Sequence, residues 1–157
     1  MGGTRALRNY KPEQQWVVWC GTNVEQDAIT AGLGSECVSI YGRMKPDEKV
    51  ALERRWLDGE VRVIVTKLSI YGWGVNWQHC HKMLFVGLSD SYEAYFQGIR
   101  RCYRYGQAHP VEVHIVLSTM ETQIAHNVAR KERDATELMS GMVRAMCEAR
   151  MKELVTT

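Results

Sequence analysis

Arg100, Arg101 and Arg104 crowd into five residues of "QGIRRCYRYGQ" (97–107), with Gln97 before them and Gly106-Gln107 after. On a helix, Gln97, Arg101 and Arg104 stand at i, i+4 and i+7, so one amide and two guanidinium groups share a face. A solvated helix end is the plain alternative, because the helix dipole favours C-terminal cations by about 0.3–1 kcal/mol each. Like charges three or four residues apart nevertheless oppose one another by roughly 0.2–0.5 kcal/mol per pair. No acidic residue lies between Glu93 and Glu112 to neutralise them. Guanidinium groups clustered without local carboxylates fit an anion supplied from elsewhere, and arginine's planar fork suits phosphate.

A second candidate is "TKLSIYGWGVNW" (66–77). Gly72 and Gly74 lack Cβ atoms, so backbone N–H groups there can approach a phosphate, while Lys67 and Asn76 add a charge and a neutral hydrogen-bonding group. Glycine pairs after strands are also ordinary turn chemistry. Arg43 and Lys45 add two cations in another loop. His79, Cys80, His81 and Cys102 match no zinc spacing, so a buried thiol among ordinary histidines is expected and no metal site. Trp16, Trp19 and Trp56 read as core, whereas Trp73 and Trp77 suit base stacking as well as packing.

The elements that must position these groups alternate strand with helix. "QWVVWC" (15–20), "CVSI" (37–40), "VRVIVT" (61–66), "KMLFVG" (82–87) and "VEVHIVL" (111–117) are short apolar runs, several of them uniformly apolar as strands buried on both faces are. "TNVEQDAITAGLG" reads as a helix closed by glycine, and "KPDEKVALERRWLDG" as one opened by Pro46 with Asp47 and Glu48 in its first turn. "DSYEAYFQGIRRCYRYG" is expected to be helical up to Gly106, and 120–153 to form one or two helices broken at Gly141. This alternation predicts an α/β layer fold with a mostly parallel sheet of about five strands. Ligands of such sheets gather beyond the carboxyl ends of the strands, which selects the loops after Thr66 and Gly87.

The chain has 157 residues, 45% hydrophobic and 24% charged, which fits one soluble globular domain and excludes disordered and collagen-like classes. A formal charge of +2 gives no global basic field, so any nucleic-acid contact must be a local patch. Five scattered cysteines without a C-x-x-C pair argue against a disulfide framework and for a reducing, cytoplasmic setting. The N-terminal residues carry no apolar signal region and no window is apolar enough to span a membrane.

Together these segments resemble the conserved motifs of superfamily 2 helicases and translocases. "QGIRRCYRYGQ" is similar to motif VI, Q-x-x-G-R-x-x-R, with Gln97, Arg101, Arg104, Gly106 and Gln107 on its positions. Its R-x-x-R-x-G-Q ending looks most like the Swi/Snf-type branch. "VIVTKLSIYGWGVNW" looks like motif V, matched at Thr66, Gly72, Gly74 and Asn76, and "VVWCGTNVEQDAI" occupies the place of motif IV. The phrasing "GWGVNWQHC" with "SYEAYFQGIRRCYRYGQ" is most similar to bacteriophage and prophage helicases. Arg100 stands where many relatives carry glycine or aspartate, and the Thr66–Gly72 interval is longer than is usual in the Swi/Snf branch.

The resemblance implies a RecA-like three-layer sandwich: a C-terminal lobe over 15–119, preceded by a tail or linker (1–14) and followed by a helical extension (120–157). It implies that Gln97, Gly72, Gly74, Arg101 and Arg104 contribute to an ATP site completed by an N-terminal RecA-like lobe, with Arg101 and Arg104 as catalytic arginine fingers. ATP and Mg2+ would serve the two-lobe motor. No G-x-x-x-x-G-K-[ST] occurs, and Asp47-Glu48 open a helix instead of ending a buried strand, so the chain alone is not expected to hydrolyse ATP. DNA is the implied polymer, with RNA left open; Lys67, Gly72 and Asn76, with Arg43 and Lys45, would contact its backbone through phosphate-directed contacts indifferent to base sequence, and the fragment is expected to be monomeric. In a phage-encoded protein the compartment would be the bacterial host cytoplasm. The rival expectation is a free-standing, non-hydrolysing module that binds nucleic acid or a partner. The apolar positions Leu138, Met142 and Met146 of the tail would either pack on this domain or dock on the absent lobe.

Overall fold

The structure, a computed structural model, describes residues 14–71, 74–87, 91–116 and 122–155. The elements run β1 (Trp16–Cys20), α1 (Asn23–Leu33), β2 (Cys37–Ser39), α2 (Pro46–Leu57), β3 (Val63–Lys67), α3 (Leu68–Tyr71), β4 (Lys82–Val86), α4 (Tyr92–Ile99), β5 (Glu112–Val116) and α5 (Thr122–Val155). One sheet of order β2-β3-β1-β4-β5 holds all five strands, and every pairing is parallel.

β1 lies at the centre because all five of its residues are apolar and buried, a pattern that only a strand covered on both faces can satisfy. Alternate residues point to opposite faces and build two cores. Val17, Trp19, Ile64, Met83 and Phe85 join Trp56, Trp77, Tyr95 and Val128 on one face. Trp16, Val18, Val63, Val65 and Leu84 meet Ile29 and Leu33 of α1 on the other. The result is the three-layer α/β sandwich anticipated from the sequence.

Local chemistry fixes the helices that carry the site. Thr22 opens α1 with a capping box: its hydroxyl accepts from Glu25 N at 3.2 Å while the Glu25 carboxylate accepts from Thr22 N at 2.8 Å. Pro46 starts α2, and the Glu48 carboxylate accepts from Lys45 N at 2.9 Å. Ser91 caps α4 through Ala94 N at 3.2 Å. Gly98 lets α4 lie close to the sheet, since a Cβ there would stand 2.5 Å from Leu68 and 3.3 Å from Phe85.

One expected helix ends early, and the tail takes one of its two expected forms. α4 stops at Ile99 and not at Gly106; residues 100–106 form successive turns, ended by Gly106 at φ +92°. The tail is a single helix through Gly141, because 3.6-residue continuity on both sides outweighs the roughly 0.5–1 kcal/mol that an internal glycine costs. The segment after β3, expected to be loop, begins with the one-turn helix α3.

Candidate functional site

The carboxyl ends of β1, β3 and β4 open onto a cleft of about 360 Å³ lined by Gly21, Lys67, Ser69, Gly87, Ser91 and Gln97 among others. β3 and β4 flank β1 there, so the cleft sits where the strand order reverses, the usual ligand position in an open parallel sheet. Cys20 also lines it, but burial pushes its thiol up to about 12, which removes it as a nucleophile.

Gln97, Arg101 and Arg104 do come together, though not along one continuous helix face. With α4 ended at Ile99, the Arg101 side chain folds back over the helix end. Its Nε donates to Gln97 O at 2.9 Å and one Nη to Gln97 Oε1 at 3.2 Å. Its other Nη reaches the Val75 carbonyl at 3.3 Å, and Arg104 donates to that same oxygen at 3.3 Å. Both guanidinium groups therefore converge on one backbone acceptor just after Gly74, whose φ of +88° is a conformation glycine adopts without penalty. Arg101 is 7% exposed, while Arg104 lies open to solvent. Among the described residues, the ion pairs found involve none of Arg100, Arg101 and Arg104. Desolvation lowers the Arg101 pKa, and the charges of Arg104 and Arg100 lower it further. A cation held this way, among neutral acceptors and like charges, is electrostatically incomplete.

The turn after α4 is fastened to the segment before β4. Trp77 N donates to Arg101 O at 2.8 Å, and the Gln107 amide donates to Gln78 O at 2.8 Å, Cys80 O at 3.0 Å and Cys102 O at 3.2 Å. Trp77 is fully buried, stacked on Trp19 with ring centroids 5.6 Å apart and edge-on to Trp56 at 5.3 Å. Of its two expected possibilities, packing is the one realised. Trp73 and Gly72 lie outside the described residues. Cys80 and Cys102 are buried, and the Cys80 thiol is shared between the Gln15 and Lys82 carbonyls at 3.3 and 3.4 Å. Among the described residues no three His, Cys, Asp or Glu side chains gather as a metal-ligand group.

The other expected cations fall into two places. Arg43 and Lys67 line a second cleft of about 210 Å³ beside the first, together with Asn23, Tyr41 and Ser69. The Arg43 guanidinium lies over the Tyr41 ring, 4.8 Å from its centroid. Lys45 is the exposed N-cap residue of α2. Asn76 is exposed, its Oδ1 accepting from Gln78 N at 3.4 Å. Sequence reasoning did not single out Asn23, Tyr41 or Ser69, nor the Val75 carbonyl. A backbone oxygen has no signature in side-chain identity, and the other three acquire their setting only when α1 and the ends of β2 and β3 meet.

Residues 4–106 match the family described as helicase conserved C-terminal domain. The chain belongs to this family. Among curated proteins it is similar to "ATP-dependent DNA helicase Q1" of Pongo abelii, 22% identical over 87 residues that make up 54% of this chain and 13% of that protein. It is also similar to "ATP-dependent DNA helicase Q4" of Homo sapiens, 26% identical over 102 residues, 65% of this chain and 8% of that protein. The helicase C-terminal domain thus spans only a small part of the length of these relatives. Among solved structures, the C-terminal part of the Fun30 ATPase domain superposes with a TM-score of 0.69 at 14% identity, covering 80% of this chain and 43% of that one. The C-terminal domain of the DEAD-box protein Dbp5 gives 0.68 at 15% identity, covering 83% and 76%. The shared fold is the RecA-like lobe anticipated from the motifs.

Proposed function

We propose that this helicase C-terminal domain is the C-terminal motor lobe of an ATP-dependent DNA helicase or translocase, and that Arg101 and Arg104 complete an ATP site presented by a preceding RecA-like lobe. The observation that carries this reading is the convergence of two guanidinium groups on the Val75 carbonyl, with no carboxylate paired to either among the described residues. Such donors fit the terminal phosphates of ATP, whose transfer to water supplies the driving chemistry. Arg104, exposed and holding a single protein acceptor, is the group that reaches the phosphoryl oxygens. Arg101, with all three of its nitrogens engaged, sets the height of the Val75 carbonyl and reinforces the local positive field. Gln97 holds Arg101 in place, Gly74 leaves room for the phosphates to approach, and Gly72, which has no side chain, would do the same. Magnesium would be held by carboxylates of the preceding lobe, because Asp47 and Glu48 stand in the first turn of α2, where Glu48 caps Lys45.

Lys67 and Arg43, sharing one cleft, with Lys45, Gly72 and Asn76 nearby in sequence, would contact the backbone of DNA. The R-x-x-R-x-G-Q ending at 101–107 supports a Swi/Snf-like branch, and the phrasing around 72–80 and 91–107 supports a phage relative. Leu138 and Met142 are 68% and 55% exposed and would pack on the preceding lobe; the side chain of Met146 lies outside the described residues. The test is ATP turnover by this chain alone and by the chain joined to its preceding lobe. Hydrolysis only in the joined form, stimulated by DNA in a steeply salt-dependent way, is expected. Hydrolysis by the chain alone, or a joined form indifferent to DNA, would overturn the proposal.

A further inference from the structure

Glu53 stands in the third turn of α2, outside every motif described above, and its carboxylate holds the tryptophan that follows the segment carrying Val75. Trp77 donates its indole Nε1 to Glu53 Oε1 at 2.7 Å. Burial, and then the charge of that same carboxylate, push the hydroxyl pKa of Tyr71, the last residue of α3, upward. Tyr71 and Trp77 stand on either side of residues 72–76, and their rings lie 5.3 Å apart. Trp77 then donates its backbone N–H to Arg101 O at 2.8 Å, while two residues back Val75 O accepts from Arg101 and Arg104. Glu53 therefore reaches the arginine turn by a chain of two hydrogen bonds through a fully buried indole. The helix that bears it begins directly after Arg43 and Lys45, the cations assigned to the polymer.

We infer that Glu53 is a positioning residue: it pins Trp77 to α2, and so holds the Val75 carbonyl and the Arg101 turn in register with the nucleic-acid side of the lobe. A carboxylate suits the task because it accepts the indole proton, whereas an aliphatic side chain would leave a buried indole N–H without an acceptor. Glu53 touches neither phosphate nor polymer and acts only through its neighbours. The inference rests on the proposed function for its consequence in the motor, but not for its structural content.

The experiment is hydrogen exchange on the 157-residue chain carrying Glu53→Ala or Glu53→Gln, with thermal unfolding as the folding check. In Glu53→Ala, exchange at the Trp77 amide should quicken by roughly five- to tenfold, about one hydrogen bond's worth, while the amides of β1 stay protected. Glu53→Gln, which keeps one acceptor for the indole, should recover most of that protection. In the two-lobe motor, Glu53→Ala should lower kcat under DNA stimulation and leave the KM for ATP in place. Unchanged exchange at Trp77 in a folded Glu53→Ala chain overturns the inference whatever the motor does. Quickened exchange alongside an Arg104→Ala motor of normal rate would instead overturn the phosphate reading and leave Glu53's positioning role standing.

Discussion

Replacing Gln107 by glutamate inverts the hydrogen bonding that joins the arginine turn to the segment before β4, and its size follows from the contacts. The Gln107 amide offers two protons to three carbonyls, at 2.8, 3.0 and 3.2 Å from its nitrogen, so about two full bonds are at stake besides the exposed one that its Oε1 accepts from His109 N at 3.0 Å. At roughly 0.5–1.5 kcal/mol net for each, Gln107→Ala should cost about 1–3 kcal/mol. For a domain of this size that is a fall in Tm of about 2–4 °C per kcal/mol. Gln107→Glu should cost more at neutral pH, because a carboxylate then faces carbonyl oxygens with no proton between them. The same repulsion would raise the folded-state pKa of the new carboxyl above its unfolded value. Its penalty is therefore full above the folded pKa and shrinks as pH falls toward the unfolded one, when the protonated acid regains a donor. Chemical denaturation of the wild type and both variants at pH 7 and near pH 5 measures each step. A Gln107→Glu chain as stable as the wild type at pH 7 would refute the account of this contact.

Gly141 lies inside α5 with nothing within 4 Å of a built Cβ, so Gly141→Ala should stabilise the helix by about 0.5–1 kcal/mol, seen as a higher midpoint in helical circular dichroism. Lys82 is 4% exposed and its ammonium donates to Glu112 Oε2 at 2.6 Å, and this contact holds the Glu112 carboxyl below the usual carboxylate range. A depressed folded pKa means stabilisation that is present above the unfolded pKa and lost as pH falls through the folded one. The acid limb of a stability–pH curve should therefore be shallower in Glu112→Gln than in the wild type, and the variant should be less stable at pH 7.

The sheet was legible because its strands are runs such as "VVWC" and "VIV", too short for helices and too uniformly apolar to be half-exposed. Helix starts were legible where Thr22, Pro46 and Ser91 cap or open them. The end of α4 was not, since Gly106 offers a persuasive stop while the true end at Ile99 depends on Arg101 folding back onto Gln97. Spacing along an assumed helix thus grouped Gln97, Arg101 and Arg104, which the structure does bring together, but along a helix face that the chain does not form. The oxygen on which the two arginines converge, and the hold of Glu53 on Trp77, join residues more than 20 positions apart and exist only after α2 and the segment before β4 have packed. Trp77 shows the same limit: its ring suited stacking or burial, and only the positions of Trp19 and Trp56 decide for burial.

The most direct measurement is the single-turnover ATP hydrolysis rate of the two-lobe motor carrying Arg104→Ala, beside Arg104→Lys and the wild type. Loss of the fork should slow the chemical step by roughly 10³- to 10⁵-fold, with ATP still bound. Lysine, which keeps the charge without the planar donor pair, should recover little of that rate. A wild-type rate in Arg104→Ala would contradict the claim that these arginines complete the site.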